Sequence, residues 1–376
     1  MEQLKKRESN FELLRIISML MIIGSHLAQH SGIGGWQIMY EPFAFNTIWA
    51  YLFGTYGQLG VCLFIILSSW FLCDSDGIHI KKIILINLEC IFYTAIFYFV
   101  LKCNNIENLG IKQFIKVFLT PWVDGYWFIL TYFCFYLCVP ALQFYSKKVS
   151  TESQGKIVLI LTVLIPVMQL VLQKNEFGNI GAFIYLYLLC SYLKKKDNNF
   201  IEKNCIALFV LSFLFIQFSI IFINFAGHSI GKGFKRITQI YANRNIVVML
   251  ESMSLFYVFK NYIKIGFVKP INEIAKTTLG IYILHESWLF VLYMSEKSLY
   301  SGGLIFEHFL NCGNYFYNSK YFGLYFLAVV FGIFFVCGII EYVRIWLIDK
   351  QLFGKLTFFN QLCEKFDKWY KIEEKA

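Results

Sequence analysis

The chain has 376 residues, 58% of them hydrophobic, 19% aromatic and only 15% charged, with a net charge of +10. So much apolar surface, in Phe, Ile, Leu and Tyr runs along the whole length, excludes a soluble domain and indicates an all-α polytopic membrane protein. The positive charge does not call for nucleic acid, because the basic residues sit in short loops between apolar runs, where they set orientation.

About ten transmembrane helices are predicted, near 11–30, 55–73, 83–101, 126–145, 156–173, 177–193, 205–226, 245–259, 273–294 and 321–345. With the N-terminus inside, 24 of the 34 Lys and Arg fall on the cytoplasmic side and 10 outside, so both termini are expected in the cytoplasm of a cell-membrane protein. Residues 1–350 are read as one transmembrane domain and 351–376 as a charged, amphipathic cytoplasmic tail. Lys5, Lys6 and Arg7 before an apolar run imitate a signal peptide. No small-x-small cleavage site follows and Glu12, Arg15 and His26 interrupt the run, so it reads as an uncleaved anchor. The eleven cysteines include no CxxC pair and no zinc spacing, so no metal is expected; Cys134 and Cys138 read as buried small residues.

The first span carries charge inside it. Ten residues separate Arg15 from His26, covering roughly 15 Å, about half of a ~30 Å hydrocarbon core. Glu12, Arg15 or His26 must therefore enter the membrane. Eleven positions are almost three turns, so Arg15 and His26 share a face, and Glu12 can hold Arg15 at i,i+3. A snorkelling Arg and a capping His are the bland alternative. Arg15, His26 and His30 together on one short helix favour a functional stripe, with imidazole suited to taking a proton from a hydroxyl.

In the second span, Gly60, Ser68 and Ser69 allow close helix approach. Lys81 and Lys82 open the third span as topology signals or as phosphate contacts. At the fourth, Pro121, Trp122, Asp124, Gly125, Tyr126, Trp127 and Phe128 make either an interfacial belt or a platform for sugar rings. The ninth span places Tyr282, His285 and Glu286 mid-helix, where neighbouring His and Glu favour a site-lining role over simple backbone pairing. Glu89, Glu251 and the i,i+3 pair Glu341 and Arg344 are further buried charges, the last read as structural.

These residues together resemble acyltransferase family 3, the bacterial membrane O-acyltransferases, over nearly the whole chain. The spacing from Arg15 to His26 is the most specific mark. Gly60 to Phe71, Lys81 with Lys82, Tyr126-Trp127-Phe128 and Gly280 to His285 also match, with Ser69 standing where the family usually has Gly and lysines where it often has arginine. The resemblance implies transfer of an acyl group, expected to be acetyl, from cytoplasmic acyl-CoA to a hydroxyl of an extracytoplasmic cell-surface polysaccharide or its lipid-linked precursor. It assigns His26, Arg15 and Glu12 to catalysis and Arg15, Lys81 and Lys82 to the CoA phosphates. His30, Asp124, Tyr126, Trp127, His285 and Glu286 are then expected to line the acceptor site. No permanently bound cofactor is expected; acetyl-CoA is the donor substrate. The expected partners are acyl-CoA, the glycan and membrane lipid, and a homodimer is compatible with the sequence. The competing readings are a transporter or flippase using the same intramembrane charges, and a scaffold in which they only join helices.

Overall fold

The computed structural model describes residues 8–30, 45–54, 56–75, 77–103, 109–122, 126–172, 177–196, 199–230, 244–286, 305–306, 310, 312, 319–351 and 356–370, and these are mostly helical, with no strand among them. In chain order the helices are α1 (Ser9–His30), α2 (Phe45–Gly54), α3 (Tyr56–Leu72), α4 (Ile80–Cys103), α5 (Ile111–Leu119), α6 (Trp127–Lys148), α7 (Thr151–Thr162) and α8 (Met168–Leu172). They continue as α9 (Gly178–Lys195), α10 (Phe200–Lys203), α11 (Cys205–Ile230), α12 (Ile246–Asn261), α13 (Lys269–Lys276), α14 (Thr278–His285), α15 (Phe322–Arg344) and α16 (Thr357–Tyr370).

Among the described residues, seven stretches are long and apolar enough to cross a membrane: Ser9–Ala28, Ile48–Leu72, Ile80–Cys103, Trp127–Lys148, Thr151–Leu172, Cys205–Gly227 and Phe322–Asp349. They match seven of the ten predicted spans. The other three predictions fall on different kinds of helix. The prediction at 177–193 is the 18-residue α9, and that at 245–259 is the 16-residue α12, about 27 and 24 Å long at 1.5 Å per residue. The prediction at 273–294 begins as the short helices α13 and α14, and its part beyond Glu286 lies outside the described residues. Burial accounts for the modest length of α12. Its Met249, Met253, Phe256 and Tyr257 are all enclosed by neighbouring helices, so it need not supply a lipid-facing side.

Two of the long segments form the centre. The membrane windows of Ser9–Ala28 and Ile48–Leu72 are 61% and 71% buried, against 22% for Thr151–Leu172 and Cys205–Gly227, which places the first two inside and the others at the lipid boundary. α1 packs against α2, α3, α12, α13, α14 and α15. Glycines set the approach of α3: an added Cβ at Gly57 would stand 2.4 Å from Ser25 Oγ, and one at Gly60 2.6 Å from the Ser18 carbonyl oxygen. Phe71 meets Phe11 edge-on at 5.3 Å, so α3 runs antiparallel to α1.

The first turn of α1 is tied to two other elements. Asn10 donates to the Phe259 carbonyl at the end of α12, and Ser9 Oγ donates to Asn272 Oδ1 and accepts from the Val268 N–H at the start of α13. One end of the bundle thus gathers the start of α1, the last turns of α3 and α12, and the start of α13. Lys194 bonds the Trp70 carbonyl and Lys195 the Ser146 carbonyl, which brings the last turns of α6 and α9 to that same end. The lysines of these final turns (Lys147, Lys148, Lys194, Lys195 and Lys260) make it a basic end.

A buried charge cluster clamps α4 to α15. Arg344 donates from Nε and Nη2 to the two Glu341 oxygens at 2.8 and 2.7 Å, reaches Asp349 at 2.9 Å, and stands 3.2 Å from Glu89. Tyr93 donates to Glu341 at 2.7 Å. The expected pair of Glu341 and Arg344 is therefore structural and larger than its spacing implied. Its last member, Asp349, is carried by the π-helical turn Ile345–Lys350 that extends α15. All eleven cysteines are free; Cys134 and Cys138 are half-buried rather than buried, because they sit on the less enclosed side of α6.

Candidate active site

His26 lies on the eighteenth residue of α1, away from the basic end, with its side chain 19% exposed. Two residues 259 and 260 positions later in sequence close around it. Its Nδ1 is 2.9 Å from His285 Nε2 and in direct contact with Glu286 Oε1, while His285 and Glu286 are both buried. His285 Nδ1 is 2.6 Å from the Ile281 carbonyl one turn earlier on α14.

These contacts fix the tautomers. A carbonyl oxygen only accepts, so His285 Nδ1 carries a hydrogen and, in the neutral ring, Nε2 carries the lone pair. His26 Nδ1 then faces two acceptors, that lone pair and a carboxylate, and must itself be the N–H donor. The lone pair of neutral His26 is therefore on Nε2, on the far side of the ring. A buried carboxylate beside one ring nitrogen can orient an imidazole for acid–base chemistry.

Around this trio the walls are aromatic. Tyr126 donates from its hydroxyl to the Ile283 carbonyl at 3.1 Å and meets Tyr282 edge-on; Tyr282 meets both Phe128 and His285. The three donor atoms of His26, His285 and Glu286 lie within 4.8 Å of one another, a set that a divalent cation could also use.

Toward the basic end, Arg15 donates to Glu12 at 2.8 Å. Lys82 Nζ donates to the Tyr132 hydroxyl at 3.0 Å, and Arg15 lies within electrostatic reach of both Lys82 and Tyr132. Glu12, Arg15, Lys82 and Tyr132 therefore form an inner polar group on the same stripe of α1 as His26, roughly 16 Å away along the axis. Lys81 turns elsewhere. It donates to Asn360 Oδ1 of α16 at 2.7 Å, and Asp367 of that helix accepts from the Ile80 N–H at the start of α4 at 2.7 Å.

The sequence-predicted residues thus divide into two groups. His26, His285, Glu286 and Tyr126 converge; Glu12, Arg15 and Lys82 converge below them. Trp127 stands beside Arg244, whose guanidinium is 5.1 Å from the ring centre. Asp124 and the side chain of His30 lie outside the described residues. Sequence reasoning missed Tyr132, Asp367 and Arg244. Only the last left a trace in the sequence: a cation directly before Asn245, which caps α12 by accepting from the Val247 and Val248 N–H groups.

A stripe joining a basic pole to a carboxylate-held histidine agrees with one comparison. A family model described as an acyltransferase domain matches residues 8–342, nearly the whole chain. The chain belongs to acyltransferase family 3. Both polar groups lie inside the matched region, while α16 lies beyond it. With its membrane-crossing helices, this family 3 chain is a membrane acyltransferase. Neither the curated proteins nor the solved structures give a match.

Proposed function

We propose that this acyltransferase moves an acetyl group from cytoplasmic acyl-CoA to a hydroxyl of an extracytoplasmic glycan or its lipid-linked precursor. The observation that carries the reading is the contact of His26 Nδ1 with the buried Glu286 carboxylate. The basic end of the bundle supports a cytoplasmic face there, with both termini inside, because Lys and Arg concentrate on that side of membrane proteins. Arg15 and Lys82 then meet the CoA phosphates, with Lys81 freed from Asn360 as a third contact. An extended pantetheine arm spans the distance to His26. Trp127, Tyr126 and the α14 residues line the acceptor side.

In the transfer, His26 Nε2 takes the proton of the acceptor hydroxyl as its oxygen forms a bond to the thioester carbonyl carbon. Collapse of the tetrahedral intermediate breaks the carbon–sulfur bond, and CoA leaves as the thiolate. Glu286 stabilises the imidazolium that forms, and His285 holds the Nδ1–H in place. The alternative, a transient acyl-histidine, is separated by incubating the protein with labelled acetyl-CoA and no acceptor: direct transfer leaves no label on the protein.

The test uses the full chain purified into lipid nanodiscs with labelled acetyl-CoA and cell-surface glycan. His26→Ala is expected to melt as the wild type does and to transfer no label. Full transfer by that variant would sink the proposal. Mass spectrometry of surface glycans from cells with and without the protein identifies the acylated sugar. A transporter predicts glycan movement with no CoA chemistry, and the family match to an acyltransferase domain weighs against it.

A further inference from the structure

Among the described residues, the groups that hold the buried Arg244 guanidinium are neutral. It is 6% exposed, donates from Nη1 to Gln58 Oε1 at 3.1 Å and from Nη2 to Asn179 Oδ1, and packs its face on Trp127. Its Nε is buried with no hydrogen-bond partner, and no Asp or Glu among the described residues pairs with it. Arginine offers five N–H donors and cannot shed its proton, so burying it against two amides leaves both a charge and a donor edge uncompensated.

The place of this residue matters as much as its state. Gln58 follows Gly57, which packs on Ser25, the residue before His26. Trp127 lies between Tyr126, bonded to the Ile283 carbonyl, and Phe128, packed on Tyr282. Two short chains of contact therefore put Arg244 at the His26 end of the bundle. Asn179 and Gln58 start their helices at that end, so the cluster draws on α3, α6, α9 and the residue leading into α12. A purely structural bridge between amides needs no permanent charge; a neutral donor would serve.

We propose that Arg244 recognises an anionic group of the acceptor, a carboxylate or phosphate oxyanion, and so makes the acceptor an acidic glycan or a phosphate-bearing precursor. This deepens the proposed function and rests on it for the word acceptor. The unpaired Nε and the remaining Nη hydrogens form the edge that a planar or tetrahedral oxyanion engages with two parallel hydrogen bonds. Gln58, Asn179 and Trp127 hold the guanidinium so that this edge is preset. Arg244 acts in binding and orientation, and His26 in the chemistry.

The experiment measures ligand-induced change in melting temperature of the full chain in nanodiscs, with methyl glucuronide, glucose 6-phosphate and methyl glucoside as probes. At least one of the two anionic probes is expected to stabilise the wild type, and the neutral glucoside is not. The carboxylate and phosphate arms tell a uronic acid unit from a phosphate-bearing precursor. Arg244→Gln is expected to weaken the anionic response at least tenfold. Should that variant not fold, Arg244→Lys, which keeps the charge and loses the fork, is expected to weaken it at least threefold. Equal responses to charged and neutral sugars, or an anionic preference unchanged in the folded variants, overturn the proposal. His26→Ala separates this from failure of the parent reading: it abolishes transfer while anion binding persists. Arg244-dependent anion binding in a wild type that transfers no acetyl leaves the anion site standing and removes the acyltransfer chemistry.

Discussion

Two accepting atoms, His285 Nε2 and Glu286 Oε1, face His26 Nδ1, and this makes its tautomer a testable property. Replacing Glu286 by Gln keeps the shape and offers an amide N–H that can donate to Nδ1, moving the lone pair to the wrong nitrogen. Transfer by Glu286→Gln is expected to fall about 10²- to 10⁴-fold with little change in melting temperature. Loss of fold and activity together would mark Glu286 as structural. Gly280 tests packing alone: a Cβ there would stand 2.2 Å from Glu341 Cδ, a carboxyl already pinned by Arg344 and Tyr93. Gly280→Ala is expected to destabilise the protein by about 1–3 kcal/mol, read as a lower denaturation midpoint.

Between elements, the same physics of buried charge applies to α4 and α15. Arg344→Leu leaves Glu89 and Glu341 enclosed without their cation, at an expected cost of about 3–5 kcal/mol. A triple change that also removes both enclosed carboxylates is expected to recover much of that loss, because buried ions replaced together are often near neutral and the remaining Asp349 is partly exposed. The docking of α16 makes a separate prediction. Asp367 occupies the start of α4, where the helix dipole and the Ile80 N–H favour an anion. If CoA phosphates come to Lys81 and Lys82, Asp367→Ala removes a competing carboxylate, and the KM for acyl-CoA is expected to fall several-fold. A rise in KM would instead show that docked α16 helps to build the donor site.

For the whole molecule, the expected outcome is that the basic end faces the cytoplasm. Fluorescent protein fused after residue 376 is expected to fluoresce, and an alkaline phosphatase fusion there to be inactive. The reverse result would invert the bundle and reassign both proposed entrances. The membrane class was legible because it depends on composition and run length, which are properties of the chain itself. Seven spans were legible for the same reason. The short α12 was drawn as an ordinary span because hydropathy cannot tell a helix enclosed by protein from one bathed in lipid; both exclude water.

The stripe from Arg15 to His26 was written in the sequence, since 3.6 residues per turn fixes which positions share a face. So was the motif resemblance that the family match bears out. What the sequence could not hold was the pairing of His26 with His285 and Glu286, because contacts 259 and 260 residues apart depend on how α1 and α14 pack. The same limit hid Arg244. As a string it is one more loop cation, and only the closure of α3, α6 and α9 around it removes water and, among the described residues, gives its charge no acidic partner. Local periodicity decided which side chains share a helix face, and tertiary packing decided which faces meet.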